Sequence, residues 1–293
     1  GPDRPVNDSS ILELNRDLTQ DGYAPQQLNL LGKAEVPKDC SVLIVAGPKQ
    51  AVTPPEVEAI KKYLAEGGRL ALFVDEKVTT GLDKVLADFG LQVDPGLVAD
   101  PNPQVESPYD VLSVFYGSHE ITRLLRSAPL ITQFFTTRGI TLLRDGVPAG
   151  VKAEPLVLSS PEAWEETVPD QNPQPSNGEK TGQIAIAAVS VKPVSGDVKE
   201  KRNEEGRVVL FGDSTLLVDA YWGPDGNRNL VLNAIAWASN QFQKVTIRPP
   251  DRDISTIDLD EAKLSKISLV ATDLLPMGLL IVGIAIWQTR RNK

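Results

Sequence analysis

The chain has 293 residues, of which 41% are hydrophobic and 24% are charged, and its formal net charge is -9. This composition can bury a sizeable core and differs from that of a disordered acidic chain. Because no Lys/Arg cluster occurs outside the extreme C-terminus, the sequence lacks the basic face of a nucleic-acid binder, and we expect no nucleic-acid partner. One cysteine and one histidine exclude a zinc site built from Cys and His ligands, and no metal site is predicted.

The first predicted element is a helix that begins at Ser10. Ser10 and Glu13 have the spacing of a capping box, in which a hydroxyl and a carboxylate satisfy the first backbone N–H groups of a helix. Asp21-Gly22 is predicted to end this helix. Residues 27–31 are then predicted to form a short edge strand.

Two buried strands and a well-delimited helix are predicted next. Residues 41–46 and 69–74 are apolar runs without alternation, a pattern typical of strands that are buried on both faces. Between them, Thr53-Pro54-Pro55-Glu56 predicts the start of a helix and Gly67-Gly68 predicts its end. Another helix is predicted over residues 81–89. This order predicts an α/β fold with a doubly wound, largely parallel sheet.

The pattern is less regular after residue 100. Three short segments are predicted to be strands: 132–135, 156–159 and 183–191. Two polar segments are predicted to be exposed loops: 165–182 and 193–206. The regular pattern returns with a strand over residues 207–211 and a final helix over residues 227–242.

An apolar segment near the C-terminus predicts one transmembrane helix. Residues 274–287 are apolar apart from Pro276 and two glycines, and extension back to residue 267 reaches the length of about 20 residues that a bilayer core requires. Trp287 suits the membrane interface, and Arg290 and Arg291 predict that the C-terminus is cytoplasmic. The alternative is a buried core helix followed by a basic tail.

Four parts of the chain follow from this interpretation. They are an extracytoplasmic α/β domain over 1–245, a juxtamembrane connector over 246–266, a transmembrane helix over 267–289 and a cytoplasmic tail over 290–293. The chain is therefore expected in the cytoplasmic (inner) membrane as a single-pass protein. Its main domain would lie on the periplasmic side.

Polar side chains follow three of the predicted strands: Lys49, Asp75, Glu76, Asp213 and Ser214. Ligands of open parallel sheets bind beyond the carboxyl ends of the strands, so these residues are the candidate site for a ligand or partner. We expect the three strands to be neighbours, with Asp75 and Asp213 at the same edge. The alternative is that these residues only cap strands and form turns.

No catalytic constellation is predicted. Cys40 precedes a strand, whereas cysteine nucleophiles on sheets of this type follow one, and only His119 could act as its base. We expect His119 to be a structural, hydrogen-bonded imidazole at the start of a helix. Gly178-Glu179-Lys180-Thr181 lacks the Gly-Lys pairing of a phosphate loop, so neither an ATP site nor any other cofactor is predicted.

Four stretches of the sequence, taken in order, carry a family resemblance. They are Ser41–Lys49 with the helix that follows up to Arg69, His119–Thr122, Arg207–Ser214 with Asn233 and Trp237, and the terminal segment with Pro276 and Trp287. Together they resemble the GldG-like auxiliary component of ABC transport systems, first associated with gliding motility. The resemblance implies a permease and a separate ATPase as partners. It also implies an α/β domain similar to that of intraflagellar-transport proteins, a degenerate amidotransferase-like sheet and no well-defined catalytic residue.

Two functions are compatible with these patterns. The favoured one is a non-enzymatic, membrane-anchored binding or scaffolding subunit that presents its domain to a glycan or protein outside the cytoplasm, in gliding or surface export. The alternative is an extracytoplasmic hydrolase that cleaves a surface polymer through Asp75, Asp213 or Glu76. Paired carboxylates do such acid–base work only when they are a few Å apart and face the substrate. The placement of Asp75 and Asp213 therefore separates the two hypotheses.

Overall fold

The computed structural model describes residues 10–30, 35–102, 104–170, 173–196, 198, 200–223 and 225–248, and further along 272, 276–277, 283–284, 287–288 and 290–291. The chain divides into one unit over residues 1–248 and a second over residues 249–293. In the second unit the described residues are helical, and the Arg291 guanidinium lies 5.2 Å from the centre of the Trp287 ring.

The first unit combines a large mixed sheet, a small sheet and helices. Its described strands are β1 (Leu43–Ala46), β2 (Arg69–Phe73), β3 (Leu91–Ala99), β4 (Asp110–Ser113), β5 (Phe115–Tyr116), β6 (Thr132–Phe135), β7 (Arg138–Leu142), β8 (Lys152–Leu158), β9 (Trp164–Glu166), β10 (Ala185–Pro193) and β11 (Glu205–Phe211). Its described α-helices are α1 (Leu12–Gln20), α2 (Pro54–Ala65), α3 (Asp83–Ala87), α4 (Glu120–Ser127), α5 (Asp219–Trp222) and α6 (Asp225–Ala238). Short 3-10 helices cover Thr215–Leu217 and Phe242–Lys244.

The large sheet has the order β1-β2-β11-β10-β7-β3-β9, with β8 paired to β10 and to β5. Strands β1, β2 and β11 are parallel neighbours, so that Ala46 lies opposite Phe73 and Phe73 lies opposite Phe211. The prediction that these three strands are neighbours is confirmed. Strands β4 and β6 form the small antiparallel sheet.

The predicted doubly wound, largely parallel sheet is wrong beyond these three strands. The other described pairings are antiparallel. Parallel neighbours need a long crossover that usually carries a helix. The connection from β10 to β11, over residues 194–204, has no described helix, so the chain turns back and pairs antiparallel. The predicted edge strand over 27–31 is also wrong for residues 27–30, which are not in a strand, and residue 31 lies outside the described residues.

Helices cover both faces of the parallel strands. Leu70 and Leu72 of β2 pack in the cluster that holds α2 and α3, whereas Ala71 and Phe73 pack in the cluster that holds α1, α4 and α6. The Phe73 ring stacks on the Phe211 ring with centroids 4.5 Å apart. This burial on both faces explains why β2 and β11 are apolar without alternation, whereas β1 lies at the edge of the sheet and only its Leu43 is buried.

Helix α2 begins and ends as predicted. The Glu56 carboxylate accepts hydrogen bonds from the backbone N–H of Thr53 at 2.9 Å and from its hydroxyl at 2.6 Å. At the other end, Gly67 has φ +86°, and a Cβ there would lie 2.3 Å from the carbonyl oxygen of Asn203. Only glycine combines that backbone conformation with that close approach.

Helix α1 is capped by a residue far along the chain rather than by the predicted capping box. The backbone N–H groups of Leu12 and Glu13 donate to the Asp219 carboxylate at 3.1 and 2.8 Å. The Ser10 hydroxyl donates to the same carboxylate at 2.5 Å. The predicted capping role of Ser10 is therefore wrong, because Asp219 fills the position.

A buried ion pair joins α1 to α5 and α6. The Asp17 carboxylate, only 1% exposed, accepts hydrogen bonds from Arg228 Nε at 2.6 Å and from Trp222 Nε1 at 2.8 Å. Burial acts to raise the pKa of Asp17, but the hydrogen bonds from Trp222 and Arg228 and the charge of Arg228 outweigh it and lower that pKa overall. The carboxylate is thus held ionised inside the protein.

The predicted transmembrane helix needs a second correction. None of the helices that the structure describes is both long and apolar enough to cross a membrane. The apolar run itself falls short of the roughly 20 residues needed, and its extension to residue 267 adds Ser268, Thr272 and Asp273. Most of the predicted connector and span, residues 246–289, lies outside the described residues.

The ion pair predicts a large loss of stability for Asp17→Asn. The change leaves the Arg228 charge buried without its carboxylate, so the free energy of unfolding should fall by about 3 kcal/mol or more. Urea unfolding measures this value. Glu13→Gln is the control, because it removes only an exposed i,i+3 pair with Arg16 and should change the same free energy by less than about 0.5 kcal/mol. A loss below about 1 kcal/mol for Asp17→Asn would contradict the role assigned to the pair.

Candidate functional site

The carboxyl ends of β1, β2 and β11 meet at one edge of the sheet, as predicted. The backbone N–H of Gly47 donates to the Phe73 carbonyl at 3.0 Å, and that of Val74 donates to the Phe211 carbonyl at 3.0 Å. The Ser214 N–H then donates to Asp75 Oδ1 at 3.2 Å. Asp75 and Asp213 therefore follow neighbouring strands at the same edge.

An ion pair lies on the solvent-facing side of this edge. Lys49 Nζ donates to Asp75 Oδ2 at 2.7 Å, and the side chains of Lys49 and Asp75 are 80% and 16% exposed. Gly47 has φ +51°, and a Cβ there would lie 2.4 Å from Ser214 Oγ and 2.9 Å from Asp75 Oδ2. We call Lys49, Asp75, Glu76 and Ser214 the rim. Ser214 and Asp75 pack so closely against Gly47 that no side chain fits there. The hydrogen bond from the Ser214 N–H holds the Asp75 carboxylate in place.

Asp213 faces inward instead of joining the rim. Its carboxylate accepts hydrogen bonds from the backbone N–H of Phe135 at 2.5 Å and from the backbone N–H and hydroxyl of Thr215, both at 2.8 Å, and the residue is 2% exposed. Burial raises the pKa of Asp213 to about 6, although the bonds from Thr215 and Phe135 oppose that rise. Asp213 thus ties β6 to the turn after β11, and solvent cannot reach it.

The histidine has the structural role that was predicted. His119 Nδ1 accepts a hydrogen bond from the backbone N–H of Ile121 at 3.3 Å, at the start of α4. The imidazole also packs edge-on against the Trp237 ring, with centroids 5.0 Å apart. Burial lowers the pKa of His119, which favours the neutral imidazole that this cap requires.

The cysteine lies at the opposite edge, before β1. The Tyr63 hydroxyl is 4.0 Å from Cys40 Sγ, and burial raises the pKa of the Cys40 thiol. A thiol whose pKa is raised is a poor nucleophile, because the thiolate is the reactive form. Within the described residues, no group of three or more His, Cys, Asp or Glu side chains could hold a metal ion.

A cavity at the opposite edge of the parallel strands was not predicted from the sequence. It has a volume of about 460 Å³, and its lining includes Cys40, Tyr63, Arg69 and Arg202. It lies where β2 begins, away from the rim. The one signal for it in the sequence is Arg69, a charged residue at the start of the otherwise apolar run over residues 69–74.

Asp213 makes the stability of the fold depend on pH. Its pKa is about 6 in the folded chain against an ordinary value of 3.8, so the folded chain binds the proton more tightly. Its stabilising contribution is therefore complete below pH 3.8 and is lost as the pH rises through 6. Relative to Asp213→Asn, the free energy of unfolding of the unchanged protein should fall by about 2 kcal/mol between about pH 4 and pH 7.

Urea unfolding at a series of pH values measures this difference. The exposed Asp145→Asn change is the control, and its pH profile should run parallel to that of the unchanged protein. A profile for Asp213→Asn that also runs parallel would show that Asp213 titrates normally.

Two solved structures match the chain at low sequence identity. The structure described as the mmIFT52 N-terminal domain is 16% identical with a TM-score of 0.54, and the match covers 78% of this chain and 90% of that one. A putative ThuA-like protein from Bacteroides uniformis is 16% identical with a TM-score of 0.40, over 77% of this chain and 80% of that one. At this identity the first likeness shows the fold alone. No curated protein sequence matches the chain.

The family of the chain is shown by its sequence over most of its length. The family model ABC_transp_aux, described as an ABC-type uncharacterized transport system, matches residues 4–244. The match does not single out the GldG-like members or gliding motility. It covers all the described strands of the sheet and the whole rim. The chain therefore belongs to the ABC_transp_aux family and is an auxiliary component of an ABC-type transport system.

Proposed function

We propose that the chain is a non-enzymatic binding or scaffolding subunit that works with a permease and a separate ATPase. The observation that carries this proposal is the Lys49–Asp75 ion pair on the rim, in which the Lys49 side chain is exposed. Because the Lys49 ammonium is largely in water, the pair contributes about 1 kcal/mol or less to folding, and the ammonium can turn to a partner at little cost. A carboxylate held by the Ser214 N–H beside an exposed ammonium suits recognition of a polar protein surface.

The groups that an enzyme would need do not converge at the rim. His119 is used as a helix cap, and burial keeps the Cys40 thiol protonated. The hydrolase alternative acts through Asp75, Asp213 or Glu76, but both oxygens of Asp213 accept hydrogen bonds inside the protein, so Asp213 does not pair with Asp75 across a substrate. These contacts favour the binding role.

The rim's partner is, on this proposal, the permease. Asp75 and Glu76 offer acceptors, Lys49 offers a donor, and Ser214 offers a hydroxyl. The chain's net charge of -9 favours a basic or hydroxyl-rich partner surface over an acidic one. We place this contact on the extracytoplasmic face of the cytoplasmic membrane, in a system for gliding or surface export. That placement follows the sequence resemblance.

If the rim contacts the permease, the double variant Lys49→Gln/Asp75→Asn should bind the permease more weakly. Both replacements keep side-chain size, and the amide oxygen introduced by Asp75→Asn can still accept from the Ser214 N–H, so the fold should be retained. The dissociation constant for the purified permease should rise by about tenfold or more, the effect of removing a central charged contact.

The matched control is Asp88→Asn/Lys192→Gln, which removes an ion pair at 3.9 Å elsewhere on the domain. Its dissociation constant should stay within about twofold of the unchanged value. Equal binding by both double variants would remove the rim from the interface. Failure of the tagged chain to co-purify with any permease or ATPase would overturn the scaffold proposal itself.

The proposed location has its own experiment. Protease added to spheroplasts should cleave the chain while a cytoplasmic marker stays intact. Cleavage that occurs only after lysis would place the domain in the cytoplasm.

A further inference from the structure

A buried guanidinium without a counter-ion lines the cavity at the start of β2. Arg69 is 7% exposed, and its Nη2 donates to Asn203 Oδ1 at 2.8 Å. Its Nε is buried and has no hydrogen-bond partner. In the described parts of the chain, no carboxylate forms a salt bridge with it. A guanidinium stays protonated at any physiological pH, so this positive charge cannot be relieved by loss of a proton.

A neighbouring arginine adds a second positive charge beside Arg69. Arg207 of β11 lies opposite Arg69 in the parallel register. Burial and the charge of Arg207 both lower the pKa of Arg69. Glu205 does not compensate Arg69 by contact, because its Oε1 accepts from Arg207 Nε at 2.9 Å and from Arg207 Nη2 at 2.7 Å.

Other cations that line the cavity have acceptors. Arg202 Nε donates to the Glu66 carboxylate at 3.2 Å, and its Nη2 donates to the Val36 carbonyl at 2.9 Å. Lys62 pairs with Glu35. Arg69 differs from these residues because no carboxylate among the described residues pairs with its buried guanidinium. Native proteins pair buried charges, so the missing counter-ion indicates an anion that comes from outside the chain.

We propose that this cavity binds a small oxyanion, a phosphate or a carboxylate, at the Arg69 guanidinium. The cavity volume of about 460 Å³ lies within the range of small-molecule sites. Planar guanidinium donors match the oxygen spacing of phosphates and carboxylates. The site lies at the opposite edge of the parallel strands from the rim and shares no residue with it.

Isothermal titration calorimetry of the full chain with inorganic phosphate, and separately with acetate, tests the site at constant ionic strength. Arg69→Gln should raise the dissociation constant of the bound anion by about tenfold or more, because one charge-assisted hydrogen bond is lost. Arg144→Gln removes one exposed positive charge elsewhere and should leave that constant within about twofold. Binding of phosphate alone or of acetate alone identifies which oxyanion the cavity takes.

A second measurement uses the unchanged protein and does not depend on a variant that folds. The NMR signal of Arg69 Nε–H, assigned by its absence in Arg69→Lys, should shift and saturate as the anion is added. Arg69→Gln should also melt at a higher temperature than the unchanged protein in anion-poor buffer, since the uncompensated buried charge is gone. An unmoved Nε–H signal with both anions, or anion binding to Arg69→Gln as tight as to the unchanged protein, would overturn the proposal.

Discussion

Strand β11 pairs in parallel with β2 and antiparallel with β10, and the rest of the domain depends on this change of direction. The parallel side brings the end of β11 to the end of β2, which sets Ser214 beside Asp75. On the other side, the Gly212 N–H donates to the Ile186 carbonyl at 2.9 Å, next to the start of β10. The same strand places Arg207 opposite Arg69 at its other end. One strand thus positions both the rim and the cavity.

Elements with local determinants could be predicted from the sequence. The apolar runs of β1, β2 and β11, and the cap and glycine of α2, identify their structures without reference to the rest of the chain. Strands β3 and β9 were missed because acidic residues interrupt their apolar pattern. Those acids have distant partners: Asp94 pairs with Lys180 at 2.9 Å, and Glu165 accepts from the Gly96 N–H at 2.9 Å. Strand direction was also mistaken, since burial on both faces is the same for parallel and antiparallel neighbours.

For the candidate site, too, only the features with local determinants could be predicted from the sequence. The sequence identified the edge that Lys49 and Asp75 share, because strand ends and turn residues are local signals. It could not show that the Asp213 carboxylate turns inward, because the Phe135 N–H that holds it lies 78 residues away. Nor could it identify Arg69 as uncompensated, since a charge at the start of a strand is ordinarily paired or solvated. Polar partners across long sequence distances therefore decide which predicted site residues face a ligand.

The cap that Asp219 provides for α1 has a consequence for the order of events during synthesis. A helix of nine residues is too short to persist alone in water. The groups that hold it, Asp219 at its N-terminus and Arg228 at Asp17, follow it by more than 200 residues. On the ribosome, α1 therefore emerges long before its cap and its counter-ion exist. We therefore expect α1 to dock late in folding, with its apolar face open to chaperones until then.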